Sequence, residues 1–185
     1  MISIDANTKR TGVALFSGGG LRAVAVLASK QKAPMLAGHE MAQQLKALGW
    51  LAPANDLLSG GEGVVEWPAH YGPYSKAKPK TVQQLTVVAT ALSSAVIAAG
   101  GSMRQVKPSA WKGSATKFTR TEDGGWYYVL WSRTGQVLTA DEKRVLAPHV
   151  PKAHGGGSVL KAKGGWDDDV LDAVGLGLFA LRRAM

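Results

Sequence analysis

The first 27 residues restrict the fold more than any later stretch. Ile2-Ser3-Ile4-Asp5 is a short apolar run closed by a carboxylate, and residues 12–16 and 21–27 are two further runs with β character. Ser17-Gly18-Gly19-Gly20 separates the last two. Consecutive glycines supply the positive φ that a tight turn needs, so this segment predicts three antiparallel strands.

Beyond them helix alternates with strand. Met35, Met41, Leu45 and Leu48 recur at near-helical spacing and predict a helix over 34–48 that ends at Gly49. Gly60-Gly61-Glu62-Gly63 breaks the chain before Val64-Val65-Glu66-Trp67, a brief buried-strand signal stopped by Pro68. A polar loop then leads to a helix over 81–99, closed by Gly100-Gly101, and residues 103–106 supply a fifth strand. The order βββαβαβ with a terminal helix over about 167–183 predicts an α/β fold: a five-stranded mixed sheet, its first three strands antiparallel, with helices on both faces. A length of 185 residues suits a single domain spanning 1–185. Two embellishments are expected, a hairpin at about 123–137 built on a strand over 126–131 and a turn at 132–135, and a flexible Gly-rich loop at about 153–165. Between them Thr139-Ala140-Asp141-Glu142 has the form of a capping box and opens a short helix to about Leu146, ended by Pro148 and Pro151.

Charge narrows the class of partner. Lys and Arg outnumber Asp and Glu by 22 to 13, a net charge of +9, which favours a polyanion such as nucleic acid over a neutral ligand. Eleven basic and four acidic residues fall between Arg104 and Lys163, so most of the surplus sits in one region. The absence of cysteine excludes disulfides and Cys-ligated zinc and fits a reducing, cytoplasmic setting. No basic stretch precedes an apolar run at the N-terminus, so no secretory signal is expected. Neither apolar helical segment is expected to cross a membrane, since 82–99 is rich in Thr, Ser and Gln and 170–181 is short and contains Asp172.

Four acidic residues stand where chemistry would need them. Asp5 closes the first strand, Glu66 the fourth, and Asp169 and Asp172 open the last helix, three apart and therefore on one helical face. In a mixed sheet the first and fourth strands can be neighbours, and a helix packed across them can bring its first turn to their ends. Convergent carboxylates repel unless cations lie among them, and hard oxygen donors suit Mg²⁺ or Mn²⁺. Two such ions about 4 Å apart support in-line hydrolysis of a phosphodiester. Plainer roles stand beside this one. Asp5 can end a strand, and Asp167 and Asp168 can be favourable helix N-terminal charges, as can Asp169. Asp172 is harder to explain so, because it lies among Val170, Leu171, Ala173 and Val174, where an uncompensated charge is costly.

At these residues the chain resembles the RuvC-like Holliday-junction resolvases of the RNase H-like superfamily, the phage-type members above all. Ile2 to Asn7 with Thr11-Gly12-Val13-Ala14, then Val65-Glu66-Trp67-Pro68, then the run from Asp169 to Leu178 carry the likeness. Val106-Lys107-Pro108-Ser109-Ala110-Trp111-Lys112-Gly113-Ser114 is similar to the strand and basic loop that precede the family's connecting region. The resemblance implies a homodimeric, structure-selective endonuclease that cleaves four-way DNA junctions with two Mg²⁺ or Mn²⁺ ions per active site. It assigns metal binding and catalysis to Asp5, Glu66, Asp169 and Asp172. Contact with the DNA backbone would fall to Lys112 and Lys117, with Arg120 close by. Tyr71 and Tyr74 lie where the family places an aromatic at the junction centre, and Lys76, Lys78 and Lys80 beside them would reinforce phosphate contact; solvated lysines and ordinary aromatic packing are the plainer readings. The aromatics Trp126, Tyr127, Tyr128 and Trp131 align with nothing in the family and read best as a small core.

Three rivals remain on sequence grounds. A ribonuclease H or transposase-like nuclease shares fold and acids, and differs in preferring other substrates. A sugar-kinase or actin-like ATPase also opens with an Asp followed by Thr, but needs two such domains. A DNA-binding dimer that has lost catalysis would keep the fold without the chemistry.

Overall fold

The computed structural model describes residues 1–51, 62–68, 78–111, 118–120, 126–128, 138–149 and 168–183. Its central sheet holds β1 (Ile2–Asp5), β2 (Arg10–Ser17), β3 (Gly20–Ala28), β4 (Glu62–Glu66) and β5 (Ser102–Val106), in the order β3-β2-β1-β4-β5. β1 pairs antiparallel with β2 and β2 with β3, while β4 runs parallel to both β1 and β5. This is the five-stranded mixed sheet that the sequence predicts. Gly18 and Gly19, at φ 58° and 77°, make the turn between β2 and β3.

Alternation along the strands divides the side chains between two cores. Ile2, Ile4, Val13, Leu27 and Val65 face α1 (Pro34–Ala47) and α2 (Pro79–Ala98), in a buried cluster with Met41, Leu45, Val88, Leu92 and Val96. Ala14, Phe16, Val64 and Val106 face the other way, toward α5 (Asp168–Ala180). Each of α1 and α2 starts on a proline, whose fixed φ suits the first helical turn and whose missing N–H costs nothing there. By length and composition alone α2 is apolar enough to cross a membrane; here its buried stripe lines the sheet. Its small residues are used inside the chain, since Ala89 and Ala95 are buried and Ala91 meets α1 at Gly38.

α5 is nearly enveloped. Val170, Leu171, Val174, Leu176 and Leu178 are all fully buried, so its sequence lacks the one-sided pattern of a surface helix. It packs across β1, β2, β3 and β4. Above Gly177 lies the Phe16 ring, 2.2 Å from where a Cβ would stand, and Ser3 Oγ donates to the Ala173 carbonyl at 2.6 Å. Arg182, at φ 56°, ends the helix, which therefore stops short of the expected residue 183.

Strand limits also differ from expectation. β2 begins at Arg10 and β3 runs to Ala28, because the ladder continues past the apolar positions to an Arg10 to Ala28 pair. Residues 126–128 form a strand, β7 (Trp126–Tyr128), and β6 (Phe118–Arg120), a strand the sequence did not announce, pairs antiparallel with it, Arg120 opposite Trp126. The turn expected at 132–135 and the Gly-rich stretch at 153–165 lie outside the described residues.

The capping box forms as predicted at the start of α4 (Ala140–Leu146). Glu142 N donates to Thr139 Oγ1 at 3.3 Å, and Thr139 N donates to Glu142 Oε2 at 3.0 Å. Glu142 does more than cap. It is 3% exposed, accepts from Leu21 N at 3.1 Å, and pairs with Arg183 through both carboxylate oxygens. Arg183 also donates to the Gly19 carbonyl at 2.9 Å, so α4, the β2–β3 turn and the end of α5 are tied together. Burial pushes the Glu142 carboxyl up, but the Arg183 guanidinium and the Thr139 and Leu21 N–H groups outweigh it and hold its pKa at about 2.

Candidate functional site

The register of β1 against β4 decides where the acids meet. Ile4 stands opposite Val65, so the next step along these adjacent parallel strands places Asp5 and Glu66 side by side at their C-terminal ends. Ligands of open α/β sheets commonly bind at that edge. Both residues share the face toward α5. Ser3, two before Asp5, bonds α5 directly, and Val64, two before Glu66, belongs to the core beneath α5.

Gly12 brings the helix to them. It pairs with Asp5 across β1 and β2, and a Cβ on it would stand 1.8 Å from the Asp169 carbonyl oxygen and 2.6 Å from Val170 N. Only a glycine lets the first turn of α5 rest on the strand backbone at that point. Asp169 and Asp172 therefore arrive at the same end and on the same face as Asp5 and Glu66. Asp5 and Asp172 are each 9% exposed.

Neighbouring N–H groups engage Glu66 and Asp169. Trp111, at the end of α3 (Pro108–Trp111), donates its indole N–H to Glu66 Oε2 at 3.0 Å. Asn7 Nδ2 donates to Asp169 Oδ1 at 3.4 Å, and Arg10 Nε lies 3.7 Å from Asp169 Oδ2. The turn after β1 holds Asn7 in place, with Thr8 N donating to its Oδ1 at 2.7 Å and Thr11 Oγ1 donating to its carbonyl at 3.1 Å. Among the described residues no group of three or more His, Cys, Asp or Glu side chains closes to metal-binding distance. The elements thus gather the acids at one end without drawing their side chains into a single cage. The donor set itself, carboxylate oxygen throughout, fits a hard divalent cation.

Most of the expected basic and aromatic contacts lie outside the described residues. Lys78 and Lys80 are exposed around the start of α2. Arg120 ends β6. Tyr71, Tyr74, Lys76, Lys112 and Lys117 lie outside the described residues. Sequence reasoning missed Asn7, Arg10, Gly12 and Trp111 as parts of the site. A cluster of polar residues directly after a strand-ending Asp was the available signal for the first two. Trp111 carried only the signal of an aromatic five residues past a strand whose partner ends on an acid.

No protein-family model matches the chain, and no curated protein matches it. Solved structures do. T. thermophilus RuvC in complex with a Holliday junction substrate superposes with a TM-score of 0.53 at 12% identity, covering 99% of this chain and 94% of that one. A second Thermus thermophilus RuvC structure gives 0.49 at 13% identity, covering 99% and 95%. The first likeness establishes a RuvC-like fold, in agreement with the sheet order and the helices on both faces.

Proposed function

We propose that this chain is a divalent-metal-dependent endodeoxyribonuclease that cleaves branched DNA, four-way junctions above all. One observation carries the reading: Asp5 and Glu66 end adjacent parallel strands at the point where Gly12 admits the aspartate-bearing first turn of α5. The fold shared with a protein solved on a Holliday junction, and the net charge of +9, support the substrate class.

Asp5, Glu66, Asp169 and Asp172 would hold two Mg²⁺ or Mn²⁺ ions, which when bound activate water and stabilise the leaving oxygen of the phosphodiester. Burial of Asp5 and Asp172 lowers the local dielectric, so their charges act strongly on whatever cation they face. Arg10, half exposed beside Asp169, and Lys78 and Lys80 at the start of α2 supply cations for backbone phosphates. Lys112, Lys117 and Arg120 would add further phosphate contacts, and Tyr71 and Tyr74 would stack on bases at an opened junction. Two symmetric cuts call for a homodimer with its sites related by a twofold axis. A cytoplasmic, DNA-associated setting follows from this activity.

Cleavage of a labelled four-way junction tests the proposal. With Mg²⁺ or Mn²⁺ the chain should cut the junction in preference to linear duplex and RNA–DNA hybrid. Asp5→Asn and Asp172→Asn should each bind the junction as the parent does and cut it slower by at least about 10²-fold. Preference for the hybrid would move the assignment to a ribonuclease H. The engagement of Asp169 by Asn7 and Arg10 favours one second reading, a junction-binding protein without catalysis; metal-independent binding with no cutting by the parent chain would select it.

A further inference from the structure

Trp111 lies at a place that core packing alone does not explain. Its ring is 3% exposed and belongs to the cluster under α5, with Val106, Val170 and Val174. Its one polar atom is directed at Glu66 Oε2, 3.0 Å away across 45 residues of chain. α3, four residues long and begun by Pro108, follows β5 directly and delivers the indole to the end of β4, where Glu66 stands opposite Val106.

We infer that Trp111 is a positioning residue for Glu66, fixing the rotamer from which this carboxylate reaches a divalent cation. The inference rests on the nuclease reading above. An indole suits the task for three reasons. It is a donor only, so it cannot compete for the cation, and it carries no ionisable proton in the working pH range. Being neutral, it orients the carboxylate without cancelling the charge a cation needs, as a lysine or arginine would. Held by the apolar packing around it, the N–H has little freedom to follow Glu66 elsewhere, so the acid's orientation is set before any ion arrives. Such outer donors commonly contribute about 10- to 100-fold in metal affinity.

The test uses the full chain and Mn²⁺ or Mg²⁺ alone. Trp111→Phe keeps an aromatic ring and removes the N–H. Titration calorimetry should show its ion affinity lowered by about 10-fold or more, with thermal unfolding and junction binding close to the parent's. Glu66→Gln should lower affinity at least as much. In ¹⁵N-tryptophan spectra the Trp111 indole resonance should move on adding Mg²⁺ and on Glu66→Gln, with Trp67→Phe used to exclude the neighbouring ring; this holds even where Trp111→Phe does not fold. Wild-type ion affinity in a folded Trp111→Phe, beside a weakened Glu66→Gln, overturns the positioning role and leaves the nuclease reading intact. An indole resonance indifferent to both ion and Glu66→Gln overturns it likewise. A parent chain that binds no divalent ion overturns both.

Discussion

The two faces of the central sheet solve the same packing problem differently. Toward α1 and α2, Ile2, Ile4, Val13 and Val65 meet Met41, Leu45, Val88 and Leu92, side chain against side chain. Toward α5, the sheet presents Ser3, Asp5 and Glu66 among Ala14, Phe16 and Val64, and the helix approaches until its backbone touches the strand at Gly12. Side-chain contacts have some freedom to adjust, whereas backbone contacts have very little. The rigid face is the one that bears the acids. Precision at a functional site calls for a rigid frame, and close helix–sheet contact through glycine provides one.

A matched pair of glycine substitutions attacks this difference directly. Gly12→Ala sets a methyl against the Asp169 carbonyl and Val170 N, backbone atoms that move only if α5 moves. It should cost about 3 kcal/mol or more in urea denaturation, and displace the aspartates enough to abolish cutting. Gly38→Ala is the counterpart in the helix layer of the other face, where the new methyl would meet the Ala91 methyl at 2.9 Å and the Val88 Cα at 3.3 Å, between α1 and α2. The overlap is smaller than at Gly12 and far from the acids, and the better helix propensity of alanine returns about 1 kcal/mol, so the net loss should be about 1–2 kcal/mol with cutting intact. Equal losses at the two positions would erase the distinction between the faces.

Arg183→Ala sharpens the comparison at the far end of α5. Leaving Glu142 buried without its guanidinium should cost about 2–3 kcal/mol at neutral pH, less than a fully enclosed pair because Arg183 is partly exposed. The pH dependence follows from a carboxyl held below its ordinary value. Its contribution is complete above the ordinary value of 4.5 and disappears as pH falls through about 2, so the parent should lose stability across that window. Urea denaturation of the variant between pH 2 and 5 should show a flatter acid limb. Smaller again, Thr139→Ala removes the cap of α4 and should cost about 1 kcal/mol, read as a lowered thermal midpoint.

Much of this architecture was legible beforehand because its signals are local. Gly18 and Gly19 announce their turn, Gly49 and Gly100 mark helix ends, and Thr139 with Glu142 spells out a cap, all within a few residues. Asp172 was legible as an anomaly, a charge inside an apolar helix. The remainder depends on partners far apart along the chain. Glu142 reads as a cap until Arg183 is seen beside it, 41 residues on. Trp111 reads as a core aromatic until the parallel pairing of β4 and β5 puts Glu66 within its reach. Gly12 reads as one small residue in a strand, and nothing local reveals that a helix from the other end of the sequence rests on it. Strand β7 falls inside the run expected at 126–131, whereas its pairing with β6 went unread, since a three-residue strand carries too little pattern to announce a partner.

The account stands or falls on whether carboxylates from three separate elements serve one ion pair. Crystals soaked in Mn²⁺ and measured at the manganese absorption edge address this directly. Two anomalous peaks flanked by Asp5, Glu66 and the aspartates of α5 are expected, and both should vanish in Asp172→Asn. Manganese bound elsewhere on the molecule, with that end of the sheet empty, would contradict the account.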